Sequence, residues 1–175
     1  MNMKKAVVAI AIVIVTTLTM SGCATVPTAS QEESDKAKTF EVLTDKAGLY
    51  IFRDSFVGQA LKKTVWFDGE ALGETAPSTF FYKAVSAGNH TVSTESEFSE
   101  NHIYLQMESG KNYYINQYIK IGVFVGGAGL EQVSEKEAQQ RIVPLKMNSL
   151  KNNITTPNVI ETNKTGTRKG MYSIY

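Results

Sequence analysis

His102-Ile103-Tyr104-Leu105-Gln106-Met107 alternates polar and apolar side chains without a break. Successive residues of a strand point to opposite faces, so Ile103, Leu105 and Met107 share a dry face, and His102, Tyr104 and Gln106 share a wet one. Working outward, short apolar or alternating runs recur every 8–12 positions over about a hundred residues, separated by turn residues. They predict strands near Gly48–Arg53, Lys62–Asp68, Ala71–Glu74, Thr79–Lys83, His90–Glu97, His102–Glu108, Asn112–Lys120 and Gly129–Val133. Asp68-Gly69 supplies the positive backbone angles of a tight hairpin, and Gly88-Asn89 and Ser109-Gly110 offer similar turns.

The expected fold class is all-β: an antiparallel β-sandwich, Ig-like or prealbumin-like, of about seven to eight strands. Alternation places Leu49 with Ile51, Val65 with Phe67, Phe80 with Tyr82, and Tyr113 with Ile115 in a shared interior. Trp66 falls on the opposite face from Val65 and Phe67. After the strands, Ser134-Glu135-Lys136-Glu137 matches a capping box and predicts one short C-terminal helix from Glu135 to about Arg141, ending before Pro144.

The N-terminus decides where such a domain works. Lys4 and Lys5, the apolar run Ala6–Val15 and then Met20-Ser21-Gly22-Cys23 have the order of a removable export signal. The small residues before Cys23 resemble the bacterial lipobox, which implies that Cys23 is lipidated and becomes the new N-terminus. Met20 stands where Leu is usual. Ala24 follows, where an Asp would resemble the inner-membrane retention signal. That resemblance implies the cell envelope, at the periplasmic face of the outer membrane, with the membrane itself as a partner through the acyl chains. The expected organisation is a signal peptide over 1–22, a lipid-anchored flexible tether over 23–40, a sandwich over 41–145 and a disordered tail over 146–175. The tether is expected because Ala24 to Lys38 holds no large apolar residue beyond Val26.

Loss of residues 1–22 takes Lys4 and Lys5 with it and leaves 16 basic against 17 acidic residues, a balance near −1. Nucleic-acid affinity needs clustered cations, so DNA and RNA are not expected as partners. Cys23 is the one cysteine. If it carries lipid, no thiol is left for a disulfide, a metal site or a nucleophile.

Catalytic constellations are not apparent. His90 follows a turn and His102 opens a strand, and neither has the spacing of a metalloprotease or a nucleophile elbow, so neither a metal site nor a cofactor is expected. Asp68, Glu70 and Glu74 gather at the first hairpin and imitate the paired carboxylates of a glycosidase, but turns favour acidic residues for solvation. The glycines at 122, 126, 127 and 129 lack the Lys-Ser/Thr of a phosphate loop and read as a close-packed strand connection. Aromatic residues offer more. Trp66, Tyr104 and Tyr114 form a candidate binding face with Tyr118 nearby, able to stack on a sugar or bury against a partner. Arg53 closes an apolar strand, and its charge calls either for pairing with Glu95 or Asp68 or for a ligand carboxylate.

Gly48-Leu49-Tyr50-Ile51-Phe52-Arg53, Gly58, Val65 through Asp68-Gly69, Gly73, Gly88-x-His90, Gly110-Lys111-x-Tyr113-Tyr114 and Gly122 to Glu131 occur in this order. Over about residues 45–143 the chain resembles the bacterial lipoproteins grouped as domain of unknown function 2846. Ser86-Ala87-Gly88 departs from the Pro-Gly usual there. The resemblance implies a small extracytoplasmic β-sandwich and brings with it no enzyme activity or ligand. The expected function is a non-enzymatic envelope interaction domain with an envelope protein as partner; the alternative is a module that binds, or hydrolyses, peptidoglycan or another carbohydrate.

Overall fold

The computed structural model describes residues 24–95, 101–120 and 126–151. The export signal, Cys23 and most of the expected tail therefore lie outside the described residues. Nine strands and two short helices follow one another as α1 (Gln31–Ala37), β1 (Ala47–Arg53), β2 (Lys63–Phe67), β3 (Glu70–Thr75), β4 (Thr79–Val85), β5 (Gly88–Thr94), β6 (Asn101–Met107), β7 (Asn112–Lys120), β8 (Gly127–Gln132), α2 (Glu135–Ile142) and β9 (Lys146–Met147) among the described residues.

The strands form two sheets, ordered β8-β7-β1-β4-β9 and β3-β2-β5-β6. They face each other across a core built from Leu49, Ile51, Val65, Phe67, Phe81, Val92, Leu105, Met107 and Ile115. The all-β sandwich expected from the sequence is present. Its pairing is not purely antiparallel, because β1 runs parallel to β7 and β4 parallel to β9. Asp68 (φ 50°) and Gly69 (φ 82°) make the β2–β3 turn with the positive angles its twist requires.

A third layer adds to the expected two. The outer face of the five-stranded sheet carries Tyr50, Phe52, Phe80 and Tyr114 and is roofed by Ala37 of α1 and by Ala138 and Ile142 of α2. Strand β1 is consequently buried along its whole length. Phe80 and Tyr82 belong to this second cluster, and Phe81 is the interior residue of β4. In Phe80-Phe81-Tyr82 every residue is large and aromatic, so alternation carries no sign.

Two boundaries also change. Residues 31–37, within the expected tether, are a helix whose capping box is complete: Glu33 N–H donates to Ser30 Oγ at 3.2 Å and Ser30 N–H donates to Glu33 Oε2 at 3.0 Å. Ser134 starts α2 with no such side-chain bond. Residues 146–151, within the expected tail, hold β9 and the buried Asn148, with Asn148 N–H donating to Phe80 O at 2.7 Å.

Candidate functional site

Two of the four aromatic and basic candidates prove to be interior. Tyr114 is 2% exposed and stacks on Tyr50 with centroids 5.1 Å apart. Tyr50 donates its hydroxyl to Ala37 O at 2.9 Å, pinning α1 to the sheet, and burial drives its phenol pKa well above the ordinary value. Alternation gives parity and not which face carries a helix, so an outward-pointing Tyr114 is still covered.

Arg53 is 0% exposed. Neither Glu95 nor Asp68 meets it. Its guanidinium donates to Leu61 O at 2.8 Å, Gly58 O at 2.8 Å and Val57 O at 3.1 Å, gathering the carbonyls of the loop between β1 and β2. Burial lowers its pKa. Glu95 serves Lys63 instead, at 3.3 Å, and accepts from Thr64 N–H at 2.9 Å. Thr75, Thr94 and Gln117 add a buried hydrogen-bond set between the sheets, in which Gln117 Nε2 donates to Thr94 Oγ1 at 2.5 Å and Thr75 Oγ1 meets Gln117 Oε1.

Trp66 and Tyr104 do share one face. In the four-stranded sheet Trp66 pairs with Ser93 and Ser93 with His102, while Tyr104 pairs with Thr91, so these outward side chains lie on the same outer surface. Tyr104 is 75% exposed, and its ring meets His102 edge-on at 4.7 Å. Trp66 is half-buried, and its separation from His102 across two strand spacings is about 10 Å.

The carboxylates around the first hairpin do not pair for catalysis. Asp68 accepts from Thr91 N–H at 2.8 Å and contacts His90 Nδ1 at 2.7 Å. Desolvation raises its pKa, but these contacts outweigh it and the net shift is downward. Glu74 pairs with Lys62 at 3.7 Å. His90 stacks on Phe67 and His102 meets Tyr104, and no group of three metal-ligating side chains stands together among the described residues.

A cleft of about 470 Å³ opens elsewhere, beside the five-stranded sheet. Ser30 and Lys36 of the α1 region form one wall, Tyr50, Tyr82, Lys83 and Ala84 the floor, and Met147 to Leu150 the far end. No pattern in the sequence marks it, because its walls come from segments expected to be unstructured.

A family model for a protein of unknown function (DUF2846) matches residues 43–128. An uncharacterized protein of Haemophilus influenzae is 56% identical over 131 residues, covering 74% of this chain and 78% of that protein. The chain belongs to the DUF2846 family. The matched segment runs from just before β1 into β8, so the family's own region contains the sandwich core, Arg53 and the Trp66–Tyr104 face. The Haemophilus relative extends the likeness beyond this DUF2846 segment. No solved structure matches the chain.

Proposed function

We propose that this DUF2846 protein is a lipoprotein of the cell envelope, anchored by acyl chains on Cys23, whose sandwich is a non-enzymatic interaction domain. Support for the anchor is the basic start, the short apolar run and the small residues before Cys23. The observation that carries the interaction role is the exposed aromatic surface of the four-stranded sheet, where Tyr104 stands out beside His102 with Trp66 on the same face. An exposed tyrosine of this kind offers a large rigid contact at small entropic cost. The favoured partner is another envelope protein.

The test has two arms. Radiolabelled palmitate should enter the wild-type chain and not Cys23→Ala, and the wild type should fractionate with membranes. Recovery of wild type as an unacylated soluble protein refutes the anchor. Photo-crosslinking from position 104 in intact cells should give a discrete adduct that Trp66→Ala weakens; the absence of any adduct refutes the interaction face.

The same aromatic surface supports a second reading, in which it stacks on the sugars of peptidoglycan. Asp68 is held by His90 and Thr91, so this reading favours binding over hydrolysis. Sedimentation of the purified domain with cell-wall sacculi, lost in Tyr104→Ala, would support it over the first.

A further inference from the structure

The chain that joins the expected anchor to the sandwich is not a free tether. Ser149 N–H donates to Pro27 O at 3.0 Å, Ala29 N–H donates to Met147 O at 2.9 Å, and Ala24 N–H donates to Gln59 O at 3.0 Å. Ala24 is thus fastened to the loop between β1 and β2, and Cys23 precedes it by one peptide bond. The same loop presents Phe56 at 70% and Val57 at 51% exposure. Their exposure is built in, because Arg53 holds the carbonyls of Val57, Gly58 and Leu61, and Arg141 grips Asp54 at 2.7 Å on the loop's flank. Exposed Val143 leaves the same end of the five-stranded sheet, since Arg53 pairs with Thr79 and Thr79 with Lys146.

Position and charge together choose what covers this apolar end. Acyl chains on Cys23 enter the bilayer beside the loop that carries Phe56 and Val57, with only one peptide unit between the lipidated residue and the residue bonded to Gln59. Residues 55–61 carry no charge, and the charges that flank them are paired, Asp54 with Arg141 and Lys62 with Glu74 at 3.7 Å, so approach to lipid strands no lone ion. We propose that Phe56 and Val57 insert into the membrane that holds the acyl chains, as a second contact that stands the sandwich on its 54–62 end. This rests on the anchor at Cys23 and not on the Trp66–Tyr104 face, which the orientation leaves along the flank, open to a partner. The acyl chains fix the attachment, and the loop fixes the orientation.

Depth measurements on the lipidated protein, reconstituted in vesicles of phosphatidylethanolamine and phosphatidylglycerol, test it. Cys23 is the one native cysteine and is blocked when acylated, so a thiol-reactive fluorophore on Ala60→Cys or Glu70→Cys reports a single position. Quenchers carried on the lipid tails should dim the label at 60 and spare the one at 70, which follows the turn at the opposite end of β2. Each of the two side chains placed in the membrane favours the docked orientation by about tenfold. Adding Phe56→Asp and Val57→Asp should therefore move the label at 60 into water and cut its lipid quenching several-fold, with the urea midpoint unchanged. Equal quenching with and without the aspartates overturns the proposal, and so does a label at 60 as wet as the one at 70. Protection at 60 that arises in intact cells but not in these vesicles also overturns it and assigns the loop to a protein partner. A wild-type chain that takes up the thiol label and does not float with the vesicles removes the anchor itself, and this contact with it.

Discussion

Replacing Arg53 by Met keeps most of the buried volume and removes the three bonds to Val57, Gly58 and Leu61. Hydrogen bonds from a charged donor contribute about 1.5–3 kcal/mol each, so a simple sum overshoots. Two effects reduce it: the variant no longer desolvates a guanidinium, and the loop carbonyls regain water because Val57 is exposed and Gly58 and Leu61 only half-buried. A net loss of about 3 kcal/mol remains, at the low end of the cost of removing one side of a buried charged contact. For a domain of this size that corresponds to a fall in Tm of roughly 10 °C. Urea unfolding should show a lower midpoint at unchanged m, and hydrogen exchange should rise first over residues 54–62. If Arg53→Met unfolds within about 0.5 kcal/mol of wild type, the guanidinium is not what fastens that loop, and its burial needs another explanation.

The two serine caps should behave differently: Ser30→Ala should cost about 1 kcal/mol in thermal unfolding, and Ser134→Ala close to nothing, because only Ser30 makes its cap bonds. Leu105→Ala opens a cavity in the main core and should cost about 2–5 kcal/mol by chemical denaturation. Asp54 is held below the ordinary carboxylate range by its hydrogen bonds from Arg141, and Asp68 and Glu95 are also lowered on balance. Each of these binds its proton more tightly in the unfolded chain, so their stabilisation is complete above the unfolded pKa and is lost as pH falls below about 4. A pH series of unfolding midpoints should decline there, and Asp54→Asn should flatten part of the decline. Gly48→Ala would drive a Cβ into the Asn112 side chain, which donates to Phe40 O at 2.9 Å, and should release the Phe40 turn, seen as faster exchange around α1.

Most of the sandwich is legible in the sequence because half-wet strands announce themselves: β6 alternates cleanly, and its buried Leu105 and Met107 and exposed Tyr104 and Gln106 fall where the pattern puts them. Strands buried on both faces lose that signal, which is why Phe80, Tyr82 and Tyr114 have surroundings that alternation does not predict. The helix at 31–37 is marked by Ser30-Gln31-Glu32-Glu33, a capping sequence as good as the one at Ser134, yet the polar composition around it outweighs that cue. Arg53 illustrates a different limit. A charged residue ending an apolar strand signals that something must satisfy it, but carbonyls carry no sequence identity, so its partners cannot be read in advance.

The central position of β1 has a consequence for how the molecule is made. Its two neighbours are β4 and, in parallel register, β7, and β4 in turn is capped by β9. A ribosome must deliver the chain as far as Lys120 before the middle of the larger sheet has both partners, and contacts this distant in sequence are slow to close. Completion of the larger sheet is therefore deferred until β7 has been made instead of proceeding stepwise from the N-terminus, and a molecule truncated before β7 would leave its first strand with β4 on one side and an open edge on the other.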